Sequence, residues 1–345
     1  MNSDSATKSD SFDLEAARRR DESAFERLIA PHRGGLQAHC YRMLGSMSDA
    51  DDAVQEALLR AWRGLPGFEA RSSVRSWLYR IATNVCLRTI ELRPKRVLPV
   101  DYGPPSDPHD APEGPLVEST WLDPYPDQTV DDGLACPEAR YEQRESVELA
   151  FIAALQHLPA RQRAVLLLRD VLGFAPSEIA AALDATPAAI YSALQRAHGA
   201  AQERLPARSQ QATLRAVGDK RLRKLVERYV TAWEEGDVAT IVALLADEAT
   251  FAMPPTPSWY RGRAAVAAFL AERPLAGPRR WRLVPVGANG QLAFAVYGPP
   301  NGRGTFAAHA IKLLALDGAG QIASVASFHL PQAFARFGLP DQITS

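Results

Sequence analysis

Residues 97 to 137 divide the chain. They contain nine prolines and nine aspartates or glutamates, and not one lysine or arginine. Proline fixes φ and removes a backbone donor, and a run of like charge repels itself, so this stretch cannot bury enough surface to fold alone. A chain interrupted in this way forms separate units joined by a partly extended linker. Within WLDPYPD, however, Trp121, Leu122, Pro124 and Tyr125 are too apolar for a solvated spacer. They are expected to dock on another surface. The acidity of the segment has two readings: a charge that keeps a spacer in solution, or a mimic of nucleic acid that threads a basic channel.

After the linker comes RQRAVLLLRDVLGFAPSEIAAALDATPAAIYSALQRAH, residues 161 to 198. Pro176 suits the first turn of a helix whose apolar stripe is Ile179, Ala180 and Leu183. Asp184 and Ala185 supply a turn. Thr186 then serves as N-cap of a second helix with Pro187 in its first turn, and Ile190, Leu194 and Ala197 recur at i, i+4 and i+7. Ala188, Ala189, Tyr191, Ser192, Gln195 and Arg196 are left facing outward. Small residues allow close approach to a major groove, and Gln and Arg carry the groups that bind adenine and guanine edges bidentately. The pattern predicts a DNA-reading helix-turn-helix. By spacing alone, a helical hairpin with a merely solvated polar face fits as well.

The first block carries two further signals. Asp49, Asp51, Asp52, Gln55 and Glu56 cluster on and before a helix whose other face holds Val54, Leu58, Leu59 and Trp62. Such a helix packs one face and shows a partner acids and amides, although acids near an N-terminus also serve the helix dipole. Between residues 60 and 96 nine Arg and Lys stand against only Glu69 and Glu91, a phosphate-binding footprint. Trp62, Phe68, Trp77 and Tyr79 interleave with Arg71, Arg75, Arg80 and Arg88, the combination that single-stranded nucleic acid needs for stacking and for backbone tracking. Trp77, with Ile81 and Val85 at i+4 and i+8, reads as core, with a stacking platform as the alternative. Phe68 to Arg75 reads as a loop before a helix, so Phe68, Arg71, Ser72, Ser73 and Arg75 are the candidates for gripping an unpaired strand. Arg80 and Asn84 follow on the helix, and for Asn84 a capping or solvated role is the alternative.

These two blocks together resemble extracytoplasmic-function sigma factors. DADDAVQE and SSVRSWLYRIATN, within residues 25 to 92, resemble region 2 of that family; LPARQRAVLLLRD and the helix-turn-helix, within 147 to 205, resemble region 4. RPKRVLPVDYGPP, WLDPYPD and the long C-terminal extension are similar to the subgroup carrying a fused SnoaL-like (NTF2-like) domain. The resemblance implies a non-catalytic initiation subunit that binds core RNA polymerase through its beta' and beta subunits and binds promoter DNA. It assigns Asp49, Asp51, Asp52, Gln55 and Glu56 to core binding. Phe68, Arg71, Ser72, Ser73, Arg75, Arg80 and Asn84 fall to the −10 element, and Thr186, Ala188, Ala189, Tyr191, Ser192, Gln195 and Arg196 to the −35 element.

The last 135 residues read as an α+β unit. Leu222, Leu225, Val226, Tyr229, Val230 and Trp233 mark an amphipathic helix ending near Gly236, and Asp237 caps another. Strand patterns follow, with hairpin turns at Asn289-Gly290 and Asp317-Gly318. The resemblance implies a sheet curved over helices into a cone, with Trp259, Tyr260, Trp281, His309 and His329 as pocket candidates, joined by Arg261 and Tyr297, and a small molecule as a ligand. No acid stands near either histidine in sequence, so structural roles are expected for both.

The expected architecture is multidomain. A disordered tail covers residues 1–11, an all-α region 2 covers 12–96, and the linker covers 97–137. An all-α region 4 with the helix-turn-helix covers 138–208, and the α+β cone covers 215–345. Net charge is −1, an average that conceals the basic block. Cys40, Cys86 and Cys136 have no ligand spacing, so neither a metal site nor a disulfide framework is expected. No cofactor or catalytic residue is assigned, and no apolar run approaches membrane-spanning length. A cytoplasmic location is expected. Two other functions compete: a helix-turn-helix activator that does not replace the housekeeping sigma factor, and a SnoaL-like ligand-binding or enzymatic domain on a DNA-binding scaffold.

Overall fold

The structure is a computed structural model that describes residues 13–69, 72–93, 95–116, 120–128, 144–277, 280–299 and 304–344. It comprises two units. The first takes in the chain up to Lys95 and Ala154–Arg204; the second takes in Arg96–Gln128, Arg144–Ala153 and everything from Leu205 onward. The expected linker therefore belongs largely to the second unit, as do residues 144–153 of the expected region 4 and a helix that starts at Gln210, ahead of residue 215.

The described part of the first unit is helical. Helix α1 (Glu22–Ile29) is followed by α2 (Arg33–Leu44), which ends at Gly45 in the left-handed conformation, φ 70°. Helix α3 (Met47–Gly64) starts at Ser46, whose hydroxyl accepts from the Asp49 amide, and buries Ala50, Ala53, Val54, Ala57, Leu58 and Ala61 along one stripe. Helix α4 (Val74–Leu92) starts at Ser73 and buries Trp77, Ala82, Val85 and Cys86. Small residues on α3 let these helices approach closely. The C-terminal half adds α5 (Ala160–Leu166), a π turn at Leu167–Val171, α6 (Pro176–Ala182) and α7 (Pro187–Gln202).

Two buried cations knit this unit together. Arg163 donates to the backbone carbonyls of Met43, Gln156 and Leu158 and to the Gln156 side chain, so it answers acceptors left over where α2 ends. Burial lowers its pKa to about 10, still charged at neutral pH. Arg42, equally buried, contributes its own carbonyl to Gln156 Nε2.

The second unit is α+β. Helices α8 (Gln210–Val217), α9 (Asp219–Glu235), α10 (Val238–Ala243) and α11 (Arg263–Glu272) pack with strands β1 (Leu245–Ala252), β2 (Trp259–Arg261), β3 (Arg282–Ala288), β4 (Gln291–Tyr297), β5 (Thr305–Leu316), β6 (Ile322–Phe328) and β7 (Gln342–Thr344). The sheet order is β2-β1-β6-β5-β4-β3, with β7 on β5. Gly236 ends α9 at φ 75° and Asp237 caps α10 through the Thr240 amide. Asn289 (φ 51°) and Gly290 (φ 61°) turn β3 into β4, the paired left-handed residues that a two-residue hairpin needs.

The acidic segment lies on this sheet unit. Trp121, Leu122 and Tyr125 are buried. Trp121 Nε1 donates to Pro255 O at 2.8 Å, and the Tyr125 and Asn289 backbones are linked by two 2.8 Å hydrogen bonds, one through the Asn289 side chain. Asp127 accepts from the Gly290 amide at 2.7 Å, and Pro126 bridges Ala288. Further back, Trp259 Nε1 donates to Gly103 O, and Ser106 N donates to Trp259 O. Its prolines leave few donors to satisfy, which lets an extended strand lie on a folded surface without a partner strand.

Candidate nucleic-acid interface and the cavity of the second unit

The helix-turn-helix has built caps. Pro176 opens α6; Asp184 adopts φ 49° at the turn; Thr186 Oγ1 accepts from the Ala189 amide at 3.2 Å, with Pro187 at the first position of α7. Ile179, Ala180 and Leu183 on α6 and Ile190, Leu194 and Ala197 on α7 are buried. The remaining face of α7 is open: Thr186, Ala188, Ala189, Tyr191, Ser192, Gln195 and Arg196 are all exposed. Tyr191, at 61% exposure, is one of the few large hydrophobic side chains left in water among the described residues.

In the first block the acids do not form one surface. Asp49 was expected to be exposed; it is buried and ion-paired with Arg93. The reason is register, since Asp49, Ala53 and Ala57 lie on one line at i, i+4 and i+8 along the buried stripe. Asp51 accepts from Gln37 at 2.6 Å, and Glu56 pairs with Arg60 at 2.6 Å. Asp52 and Gln55 are exposed. Leu59, assigned by sequence to the packed face, is 50% exposed and completes an outer line with Asp52 and Gln55 at i, i+3 and i+7.

The strand-gripping loop also needs correction. Phe68 is buried against Trp77, with ring centroids 4.7 Å apart, while Arg18 lies over its other side. Its apolar ring, placed beside a core tryptophan, is recruited into the core. Arg75 donates to Leu172 O at 2.8 Å and stacks over Phe174 and Tyr79; a guanidinium is satisfied at once by a carbonyl and two ring faces. Ser73 is the α4 cap. Arg71 lies outside the described residues. Ser72, Ser73, Arg80 and Asn84 remain exposed, and Arg80, Asn84 and Arg88 follow one another at i, i+4 and i+8 on α4. Asn84 and Arg88 line a groove of about 820 Å³ shared with Arg60, Arg161 and the turn residue Asp184.

The second unit holds a cavity of about 550 Å³. Its walls include Trp233, Phe251, Met253, Phe269 and Trp281, and its polar groups include His309, His329 and Lys312. Trp281, His309 and His329 are thus pocket residues as expected. Trp259 and Tyr260 are not: Trp259 binds the acidic segment, and Tyr260 stacks on Phe269 at 4.3 Å within the core. Arg261 lies over Trp259, and Tyr297 donates to Pro340 O at 3.1 Å. The histidine rings sit 4.7 Å apart, and neither ring has a hydrogen-bond partner among the described residues. Burial depresses both, His329 to about 3, helped by His309 and Lys312.

Lys312 was missed in the sequence, where it hides in the apolar run AIKLLAL. A β-bulge brings it to the site. Val296 pairs with Ala310 and Tyr297 with Ala308, so His309 is an extra residue in β5. Residues three apart in a regular strand face opposite sides; one inserted residue restores His309 and Lys312 to the same side.

Residues 28–94 match the Sigma-70 region 2 family, residues 148–198 the Sigma-70, region 4 family, and residues 226–325 the SnoaL-like domain family. Over 318 residues the chain is 43% identical to the ECF RNA polymerase sigma factor SigG of Mycobacterium tuberculosis (strain ATCC 25618 / H37Rv), covering 91% of this chain and 83% of that protein. The chain belongs to the ECF RNA polymerase sigma factors. The RNA polymerase sigma-H factor of Pseudomonas aeruginosa is 27% identical over 192 residues, 56% of this chain and 91% of that one. The crystal structure of Mycobacterium tuberculosis extracytoplasmic function sigma factor SigJ matches with a TM-score of 0.55 at 23% identity, covering 93% of this chain and all of that one, which shows a shared fold.

This ECF sigma factor is an alternative sigma factor, an initiation subunit that acts with core RNA polymerase on promoter DNA. Its region 2 and residues 154–198 of its region 4 lie in the helical unit, and residues 148–153 and the SnoaL-like domain lie in the sheet unit. No described helix is long and apolar enough to cross a membrane.

Proposed function

We propose that the sigma factor reads the −35 element with the open face of α7 and holds the −10 element with Ser72, Ser73, Arg80 and Asn84. The carrying observation is that all seven α7 candidates are exposed around an N-cap and a proline that fix the helix start. Gln195 and Arg196 supply base-edge contacts, and Ala188 and Ala189 allow the helix end to enter the groove. Asp52, Gln55 and Leu59 form the face for the beta' subunit, because an exposed leucine bordered by polar groups is the composition of an interface centre. The SnoaL-like domain acts by binding rather than by catalysis, and its cavity takes a small molecule whose occupancy modulates transcription. Trp121 and Tyr125 tie the acidic segment to that domain. In vitro transcription with purified core polymerase tests the reading. The full chain is expected to initiate from its promoter, while truncation at about residue 210 and the double change Trp121→Ala, Tyr125→Ala shift output in the same direction. Absence of a stable core complex and of strand opening would instead indicate a helix-turn-helix activator.

A further inference from the structure

The cavity of the SnoaL-like domain contains a charge without a counter-charge. Lys312 is 2% exposed, and its Nζ lies 3.1 Å from the centre of the Trp233 ring, with Tyr229 and Phe251 also beneath 6 Å. Among the described residues no carboxylate pairs with it and no hydrogen bond reaches it. The ring faces supply part of what an ammonium loses on leaving water, but only part. The other ionisable groups on the cavity wall are His309, His329, Arg273 and Glu272. The single acid, Glu272, is engaged by His109 at 2.8 Å. The interior is therefore cationic or proton-accepting, and the rest of the wall is apolar and aromatic.

We propose that this cavity is a binding site for a small hydrophobic monocarboxylate. Its anionic group meets Lys312 beside His309 and His329, and its apolar body lies against Phe251, Met253, Phe269 and Trp281. The volume is that of sites for drug-sized ligands, which also combine an apolar wall with a few convergent polar groups. Burial pulls the Lys312 pKa well down, and a carboxylate beside it supplies the counter-charge that favours its protonated form. A neutral ligand of the same shape gains the apolar contacts alone.

The site also has a route to the acidic segment. Met253 and Thr256 line the cavity, and between them Pro255 O accepts from Trp121 Nε1 and from the Leu116 amide, while Pro254 O accepts from the His329 amide. Pro112, from the segment itself, stands on the cavity wall. A ligand that moves Met253 or His329 acts on the carbonyls that hold Trp121. This inference rests on the proposed small-molecule role of the cavity.

Calorimetric titration of the full-length protein with 2-naphthoate and decanoate, each beside its neutral amide, tests it. At least one acid is expected to bind about tenfold or more tightly than its amide, the scale of one charge-assisted contact. Lys312→Met is expected to abolish the preference for the acid while the amide binds as before. Acids that bind no better than amides, or a preference that survives in Lys312→Met, would each overturn the proposal. The comparison of acid with amide is read on the unmodified protein and does not depend on the variant folding. No polymerase is present in these titrations, so their failure leaves the transcription comparison of the truncated chain untouched, and equal transcription from that truncation leaves the titrations untouched.

Discussion

The helical unit and the sheet unit each bury a cation, and they treat it in opposite ways. Arg163, 4% exposed, spends its guanidinium on three backbone carbonyls and the Gln156 side chain. Lys312, 2% exposed, rests on an aromatic ring and lines the cavity. The first arrangement closes the hydrogen bonding around a helix end; the second leaves it open. Burial alone therefore does not mark a functional charge. What separates a staple from a site is whether the surroundings already satisfy it.

The sharpest way to break this contrast is to remove each cation. Arg163→Ala strands several buried acceptors and is expected to destabilise the helical unit by about 3 to 5 kcal/mol. Lys312→Met keeps the length of the side chain and removes an uncompensated charge, so the sheet unit should be unchanged or more stable. Urea unfolding followed in each unit gives both numbers. Equal losses would mean that Lys312 is as structural as Arg163.

Acid should act on both units and ligand on only one. His39 in the helical core, bonded to Thr83 at 2.9 Å, and His329 at the cavity are each held near 3 by burial. These folded pKa values lie below the unfolded 6.5, so the unfolded chain takes up the proton first. Each contribution is intact above about pH 6.5 and is lost as pH falls toward 3. By pH 5 this amounts to roughly 2 kcal/mol per group. His329→Asn should reduce the acid sensitivity of the sheet unit alone, and His39→Asn that of the helical unit alone. Unfolding measured at pH 7 and pH 5 distinguishes them.

The same contrast explains what could be read from the sequence. The helix-turn-helix was legible down to Thr186, Pro176 and Pro187, because caps and 3.6-residue periodicity are local. The β4 hairpin was legible from Asn289-Gly290 for the same reason. Asp49 was misassigned because five neighbouring polar residues look like one face until the helix phase is fixed by what packs on it, here Arg93, 44 residues away in sequence. Phe68 and Arg75 were misassigned because a loop composition says nothing of the core tryptophan or the Leu172 carbonyl that claims them. Lys312 was invisible since alternation cannot place a residue beyond a bulge. The two histidines were found, but their partners were sought in sequence, whereas their defining feature is a cavity.

At the DNA-facing surface the expected effects are smaller and sequence-selective. Gln195→Ala and Arg196→Ala should each alter preference at particular −35 positions by about 1 to 3 kcal/mol. Arg204→Ala, at the end of the region, should weaken all sequences alike. Selection from a library randomised over the −35 element reads both. Unchanged base preference in the first two would move recognition to Ala188, Tyr191 and Ser192.

The least costly substitutions for the fold are those on the outer line of α3, and they give the finest test of satisfied against open groups. Asp52, Gln55 and Leu59 are exposed, so Asp52→Ala with Leu59→Ala should shift stability by no more than about 0.5 kcal/mol. On the same helix Asp49→Ala removes the buried partner of Arg93 and should destabilise the unit noticeably more. If the outer line is the polymerase face, the order reverses in a pull-down with core enzyme: the Asp52, Leu59 double variant loses binding, because an apolar centre and its polar rim disappear together. Asp49→Ala, assayed at a temperature where it stays folded, should retain it. Parental affinity in the double variant would remove α3 from the interface and leave its exposed leucine as an ordinary surface residue, since single apolar side chains in water need no partner.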